Sequence, residues 1–108
     1  MKLSRGRGRI LVVENDIKSV EVVDGYYTED CKYFIYKGKI KWYMMDVDSG
    51  LSYGRSKSYL TKKDLEKDIK NIIPNFDKVR TINKTWYNKV SKYYKQLCRE
   101  YDLKVGRI

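Results

Sequence analysis

The chain has 108 residues, and because 24 are Lys or Arg, 14 are Asp or Glu and none is His, its formal net charge is +10. This length suits one domain, and 42% hydrophobic with 35% charged residues excludes both a disordered polyelectrolyte and a membrane-embedded protein. The lack of histidine excludes histidine-dependent catalysis and the common zinc and iron sites. We therefore expect a protein that is not an enzyme and needs no cofactor.

The cysteines and the apolar runs indicate the compartment. Cys31 and Cys98 lie far apart without the paired spacing of a metal or redox motif, so we expect both to be reduced and partly buried. Apolar runs are too short for a signal peptide or a membrane span. These features favour the cytoplasm.

The first nine residues are basic and contain no acid. Their bases are Lys2, Arg5, Arg7 and Arg9. Gly6 and Gly8 separate the arginines, and almost nothing in the segment can be buried. We predict a flexible basic arm over residues 1–9, followed by one α+β domain over residues 10–108. Deleting such an arm should not change stability.

The next segments have the pattern of antiparallel strands. Residues 10–13 and 20–23 are β-branched runs separated by turn-forming residues 14–16. Residues 33–36 and 39–47 flank Lys37 and Gly38, which predicts a hairpin with a two-residue loop. A turn at residues 48–50 then leads into a short strand over residues 51–55.

The predicted register of this hairpin, with Ile35 opposite Ile40, gives it two different faces. The apolar face consists of Cys31, Tyr33, Ile35, Ile40, Trp42 and Met44. The other face carries both lysine and aromatic side chains: Lys32, Phe34, Tyr36, Lys39, Lys41 and Tyr43. Such a face suits single-stranded nucleic acid, because aromatic side chains stack on nucleobases while lysine ammonium groups contact phosphates. The alternative is an ordinary solvated sheet face.

Two helices are predicted in the second half of the chain. Thr61 is a suitable N-cap for a helix over residues 62–73, which Pro74 should end. A second helix begins near residue 83, with this apolar stripe: Ile82, Trp86, Val90, Tyr93, Leu97 and Tyr101. The opposite side is basic, with Lys84, Asn88, Lys92, Lys95 and Arg99. This side is either a second nucleic-acid contact or a solvated face.

The predicted fold is α+β. It has a small antiparallel sheet of four or five strands, with two C-terminal helices packed on the face that bears Tyr33 and Ile35. Asp46 and Asp48 lie two positions apart at a strand end, where they could share a magnesium ion, but Asp is equally favoured there by turn chemistry. No metal site is therefore assigned.

The second half of the chain carries a resemblance to a known family. Its residues, in order, are Ser56, Lys57, Ser58, a Lys- and Ile-rich helix, Asp77, Lys78, Arg80, Ile82, Asn83, Thr85, Lys92, Tyr93, Tyr94 and Lys95. This order resembles the broad-spectrum type II-A anti-CRISPR proteins of streptococcal phages, which pair a basic disordered N-terminal arm with a small α+β body.

The resemblance implies a phage or mobile-element protein in the cytoplasm of a bacterial host. Such a protein would inhibit an RNA-guided CRISPR nuclease by binding its guide-loaded complex, with Arg5, Arg7 and Arg9 as candidate contacts. The residues alone support a second hypothesis, a nucleic-acid-binding accessory protein of a phage or plasmid that binds DNA or RNA directly. For that role the bases and rings of the arm, hairpin and helix are the candidate binding residues.

Overall fold

The computed structural model describes residues 2–53, 59–101 and 106–107. The strands of the first half are β1 (Leu3–Glu14), β2 (Ile17–Thr28), β3 (Tyr33–Lys37), β4 (Trp42–Asp46) and β5 (Ser52–Tyr53). They are followed by α1 (Lys62–Ile82), α2 (Lys84–Tyr101) and β6 (Gly106–Arg107).

All strand pairs are antiparallel, in the order β5-β4-β3-β2-β1-β6. The first five strands therefore form a meander, and β6 returns to pair with β1. The predicted α+β fold, an antiparallel sheet with two C-terminal helices packed against it, is confirmed. Within the described residues, neither helix is long and apolar enough to cross a membrane.

The β1–β2 hairpin is longer than predicted. Its register runs without interruption from the pair Leu3–Thr28 to the pair Glu14–Ile17. Asn15 and Asp16 form the turn with φ of 51° and 63°, which are the positive values that a two-residue hairpin turn requires. The two predicted strands are confirmed, but residues 3–9 belong to β1. The prediction of a flexible arm is therefore wrong for them.

The glycines of β1 have a packing role that explains this difference. A Cβ atom on Gly8 or on Gly25 would lie only 2.6 Å from the Phe34 ring. Glycine at both positions lets that ring lie directly against β1 and β2. The segment is thus a strand whose apolar partner comes from β3.

The β3–β4 hairpin has a longer loop than predicted. Tyr36 pairs with Tyr43 and Ile35 with Met44, and the Gly38 N–H donates to the Lys41 carbonyl at 2.8 Å. The predicted register is wrong by four positions, but an even shift keeps every side chain on its face. Ile40 lies exposed in the loop, and Cys31 lies exposed in the β2–β3 turn with φ of 58°. Neither residue is on the predicted core face.

Both faces of β3 are buried. The face with α1 holds one cluster, which contains Tyr33, Ile35, Met44, Tyr59, Leu65, Ile69, Ile72 and Phe76. The other face holds Tyr27, Phe34, Tyr36 and Met45. Phe34 has an exposed fraction of 0% and Tyr36 one of 7%, so neither ring can stack on a base. The predicted aromatic and basic platform is therefore wrong at these two positions.

Helix α1 begins as predicted but does not end at residue 73. The Thr61 hydroxyl accepts the Asp64 N–H at 3.1 Å, which confirms the N-cap. The helix continues through Pro74 to Ile82. The buried Phe76 ring lies in the α1 cluster, and the Asn75 side-chain amide donates to the Asn71 carbonyl at 3.0 Å. Burial beyond the proline thus offsets its cost to the helix.

Helix α2 begins where it was predicted, but a different side of it is buried. Its buried residues are Ser91, Tyr94, Leu97 and Cys98, and Leu97 and Cys98 pack with Val20 of β2. By contrast, Trp86 is 51% and Tyr93 43% exposed. The predicted apolar stripe is wrong for these two residues and for Ile82, while the side chain of Tyr101 lies outside the described part. Residues 54–58, the end of the predicted fifth strand and the start of the resemblance, are also outside it.

Candidate nucleic-acid interface

The outward side of α2 carries five exposed bases. These are Lys84, Lys89, Lys92, Lys95 and Arg99, which we call the α2 basic face. Four of them were predicted as binding residues from the sequence. Glu100 is the one acid in the sequence of this helix, so the α2 basic face has a strongly positive local charge.

Two exposed aromatic side chains accompany these bases. Trp86 and Tyr93 are seven residues apart on α2, which places them on the same side of the helix, ~10 Å apart along its axis. Lys89 lies between them in the sequence, and the Lys18 ammonium is 5.1 Å from the centre of the Tyr93 ring. Exposed rings beside bases are the combination that single-stranded nucleic acid requires. The periodicity of the sequence predicts both rings in the core, so neither was among the predicted binding residues.

A pocket lies beside the C-terminal half of α2. Its volume is about 540 Å³, and its cations are Arg9 from β1 with Lys95 and Arg99 from α2. Its walls are Tyr27, Met45, Val47, Tyr94 and Cys98. We call it the β1–α2 pocket. The structure thus brings together one residue of the predicted arm and two of the predicted helix face.

The tyrosine walls of the β1–α2 pocket are held by hydrogen bonds to β1. The Tyr27 hydroxyl donates to the Arg7 carbonyl at 2.6 Å, and the Tyr94 hydroxyl donates to the Arg9 carbonyl at 2.5 Å. Burial raises the pKa of Tyr27 and of Tyr94 above the usual 10.0. Both walls are therefore uncharged at neutral pH and do not repel an anion.

The other predicted bases do not form one platform. Lys32 lies in the turn before β3, whereas Lys39 and Lys41 lie in the loop that follows it. Since β3 has five residues, these two groups are separated by ~17 Å. The Lys41 ammonium lies 5.7 Å from the centre of the half-buried Tyr43 ring.

The remaining two predicted arginines lie on β1. Arg5 is exposed, and Arg7 forms an exposed ion pair with Asp24 at 3.3 Å. An exposed pair of this kind contributes little to stability. Both side chains are thus accessible, but the strand holds their backbone in place.

A buried polar cluster, which we call the Asp46 network, connects the sheet to both helices. The Asp46 carboxylate accepts from Arg80 at 2.8 Å, from Tyr87 at 2.6 Å and from Ser49 at 2.6 Å. Arg80 also donates to the Tyr33 hydroxyl at 2.8 Å. Because protein donors already satisfy Asp46, a magnesium ion shared with Asp48 does not fit. No cluster of potential metal ligands occurs in the part of the chain that the structure describes.

Comparison of the chain with protein-family models, curated proteins and solved structures found no significant match. Three residues of the resemblance described above have structural roles here. Asp77 and Arg80 form an ion pair at 2.9 Å, and the Tyr94 ring packs against Gly50.

Proposed function

We propose that this protein binds single-stranded nucleic acid through the α2 basic face together with Trp86 and Tyr93, and that it catalyses no reaction. The observation that supports this proposal best is the presence of five exposed bases and two exposed rings on one helix. Lysine and arginine side chains neutralise phosphates whatever the nucleotide sequence. Each nucleobase stacked on an aromatic ring contributes about 1–3 kcal/mol to binding. In a duplex the nucleobases are already stacked on one another, so exposed aromatic side chains favour the binding of single strands.

Inhibition of a guide-loaded CRISPR nuclease is a more specific form of this proposal. Such nucleases hold nucleic acid in a positively charged channel, so a protein of net charge +10 would contact guide RNA or an acidic surface instead. The exposed Arg5 and Arg7 on β1 would add contacts. Co-purification of the protein with a type II nuclease, with and without guide RNA, tests this form in a bacterial host. Failure to co-purify in both states would contradict it.

Fluorescence anisotropy with labelled single-stranded RNA, single-stranded DNA and duplex DNA tests the general proposal. Trp86→Ala should weaken binding to single strands about 5- to 150-fold, which corresponds to the loss of one stacked base. It should leave the salt dependence unchanged, because it removes no charge. Lys92→Gln should instead lower the slope of log affinity against log salt by about 0.7.

The matched control is Lys67→Gln, which removes an exposed base from α1 rather than from α2. This variant should bind single strands as the unchanged protein does. If single strands do not bind at low salt, or if Trp86→Ala binds them with full affinity, the proposed interface is wrong. Equal losses for Lys92→Gln and Lys67→Gln would indicate attraction by net charge alone, which also contradicts it.

A further inference from the structure

We propose that the β1–α2 pocket binds a nucleoside monophosphate, either as a free nucleotide or as the phosphate-bearing end of a strand. The strand-end form rests on the function proposed above, whereas the free-nucleotide form does not. The pocket volume of about 540 Å³ is typical of small-ligand sites, which range from about 300 to 1,000 Å³. It suits one nucleotide and excludes a duplex.

The charge of the pocket favours a phosphate group. Arg9, Lys95 and Arg99 contribute three positive charges, and none of the described lining residues is acidic. Neither Lys95 nor Arg99 forms an ion pair with any described residue, so both remain available to a ligand. A guanidinium group can hold two phosphate oxygens at once, which makes Arg99 the stronger candidate contact.

The walls of the pocket favour a flat ring attached to that phosphate. The hydroxyls of Tyr27 and Tyr94 are both occupied by β1 carbonyls, so the small exposed parts of these buried rings, with half-buried Val47, give the pocket an apolar side. A nucleobase can lie against this apolar side while the cations of the pocket hold its phosphate.

These walls are also fixed before any ligand arrives. The Tyr27 ring packs on Phe34 with centroids 4.8 Å apart, and the Tyr94 ring lies so close to Gly50 that a Cβ there would be 2.5 Å away. A preformed site avoids the cost of ordering side chains on binding.

The test is a titration of the ¹⁵N-labelled full chain with adenosine 5′-monophosphate, with adenosine and with inorganic phosphate. Binding is detected by NMR as changes in the amide chemical shifts. The monophosphate should shift the amides of Val47, Tyr94 and Cys98 saturably, and adenosine and phosphate should each bind at least about tenfold more weakly. Arg99→Gln should weaken monophosphate binding at least about tenfold. Lys67→Gln, which removes an exposed basic residue from α1 outside the pocket, should bind it unchanged.

The absence of saturable shifts with the monophosphate would overturn the proposal, as would equal losses for Arg99→Gln and Lys67→Gln. A short oligonucleotide with and without a 5′-phosphate distinguishes the two sources. Tighter binding of the phosphorylated strand at the same amides supports the strand end, and no difference supports the free nucleotide. Monophosphate binding that survives in a protein unable to bind long strands would contradict the proposed function and leave the pocket site standing.

Discussion

Replacing Arg80 by Met should lower the free energy of unfolding by about 3–5 kcal/mol. The Asp46 side chain is 2% exposed, and Arg80 is the cation that balances its charge. Without Arg80, the hydroxyls of Tyr87 and Ser49 would be the only side-chain groups of the described residues that donate to this carboxylate. Removing one partner of a buried ion pair is costly because the remaining charge is left in a medium of low polarity.

The second carboxylate bound to Arg80 provides a matched control. Asp77 is bound to the same guanidinium at 2.9 Å, but its side chain is 61% exposed. Asp77→Asn should therefore cost less than about 1 kcal/mol. Urea unfolding followed by tryptophan fluorescence and by circular dichroism measures both variants. Since each 1 kcal/mol lowers the Tm of a domain this size by about 4 °C or more, Arg80→Met should melt at least ~12 °C lower.

Two results would refute this reasoning. An unfolding free energy of Arg80→Met within about 1 kcal/mol of the unchanged protein would be that of an ordinary exposed substitution and would contradict the reasoning. Equal losses for Arg80→Met and Asp77→Asn would show that burial of Asp46 does not decide the energy. In the double variant Asp46→Asn with Arg80→Met, no charge is left unbalanced, so part of the stability should return.

Gly8→Ala should cost about 1–3 kcal/mol in urea unfolding because its Cβ would overlap the Phe34 ring, and an unchanged midpoint would mean that residues 3–9 are not held in the sheet. Burial raises the pKa of Tyr94, and the stability linked to this shift is fully present below pH 10 and is lost as pH rises through the raised pKa. Above pH 10, Tyr94→Phe should therefore lose less stability than the unchanged protein does. Hydrogen bonds, first that from the Lys32 N–H, lower the pKa of Asp30. The contribution of Asp30 to the free energy of unfolding should be present above pH 3.8 and lost as pH falls through the lowered pKa. Asp30→Ala should therefore be as stable as the unchanged protein only in strong acid.

The parts of the fold that the sequence predicts correctly depend on local signals. The Asn15–Asp16 turn, the Thr61 cap and the start of α2 are each specified by a few adjacent residues. The role of Gly8 was missed because its cause, the Phe34 ring, lies on another strand. The end of α1 was missed for a similar reason, since Phe76 gains its burial from the sheet and not from its sequence neighbours.

The basic residues of the candidate site were predicted from the sequence, but its two exposed aromatic residues were not, for a specific reason. The bases of α2 were placed outward because burying unpaired charges is costly, and the structure agrees. The rings could not be placed because two aromatic pairs have the same seven-residue spacing: Trp86 with Tyr93, and Tyr87 with Tyr94. Either pair would give an acceptable periodic stripe, so periodicity alone cannot decide which one is buried.

Contacts distant in sequence make that choice. Tyr87 and Tyr94 each have a hydroxyl that can reach a buried acceptor, Asp46 on β4 for the first and the Arg9 carbonyl on β1 for the second. Trp86 has a larger ring and one indole N–H donor, but at 51% exposure it makes neither of these contacts. Burial of the two tyrosines therefore turns Trp86 and the α2 bases toward solvent. One of these two hydrogen bonds, from the Tyr94 hydroxyl to the Arg9 carbonyl, also holds a wall of the β1–α2 pocket, so a buried polar contact of the fold determines which chemistry the surface presents.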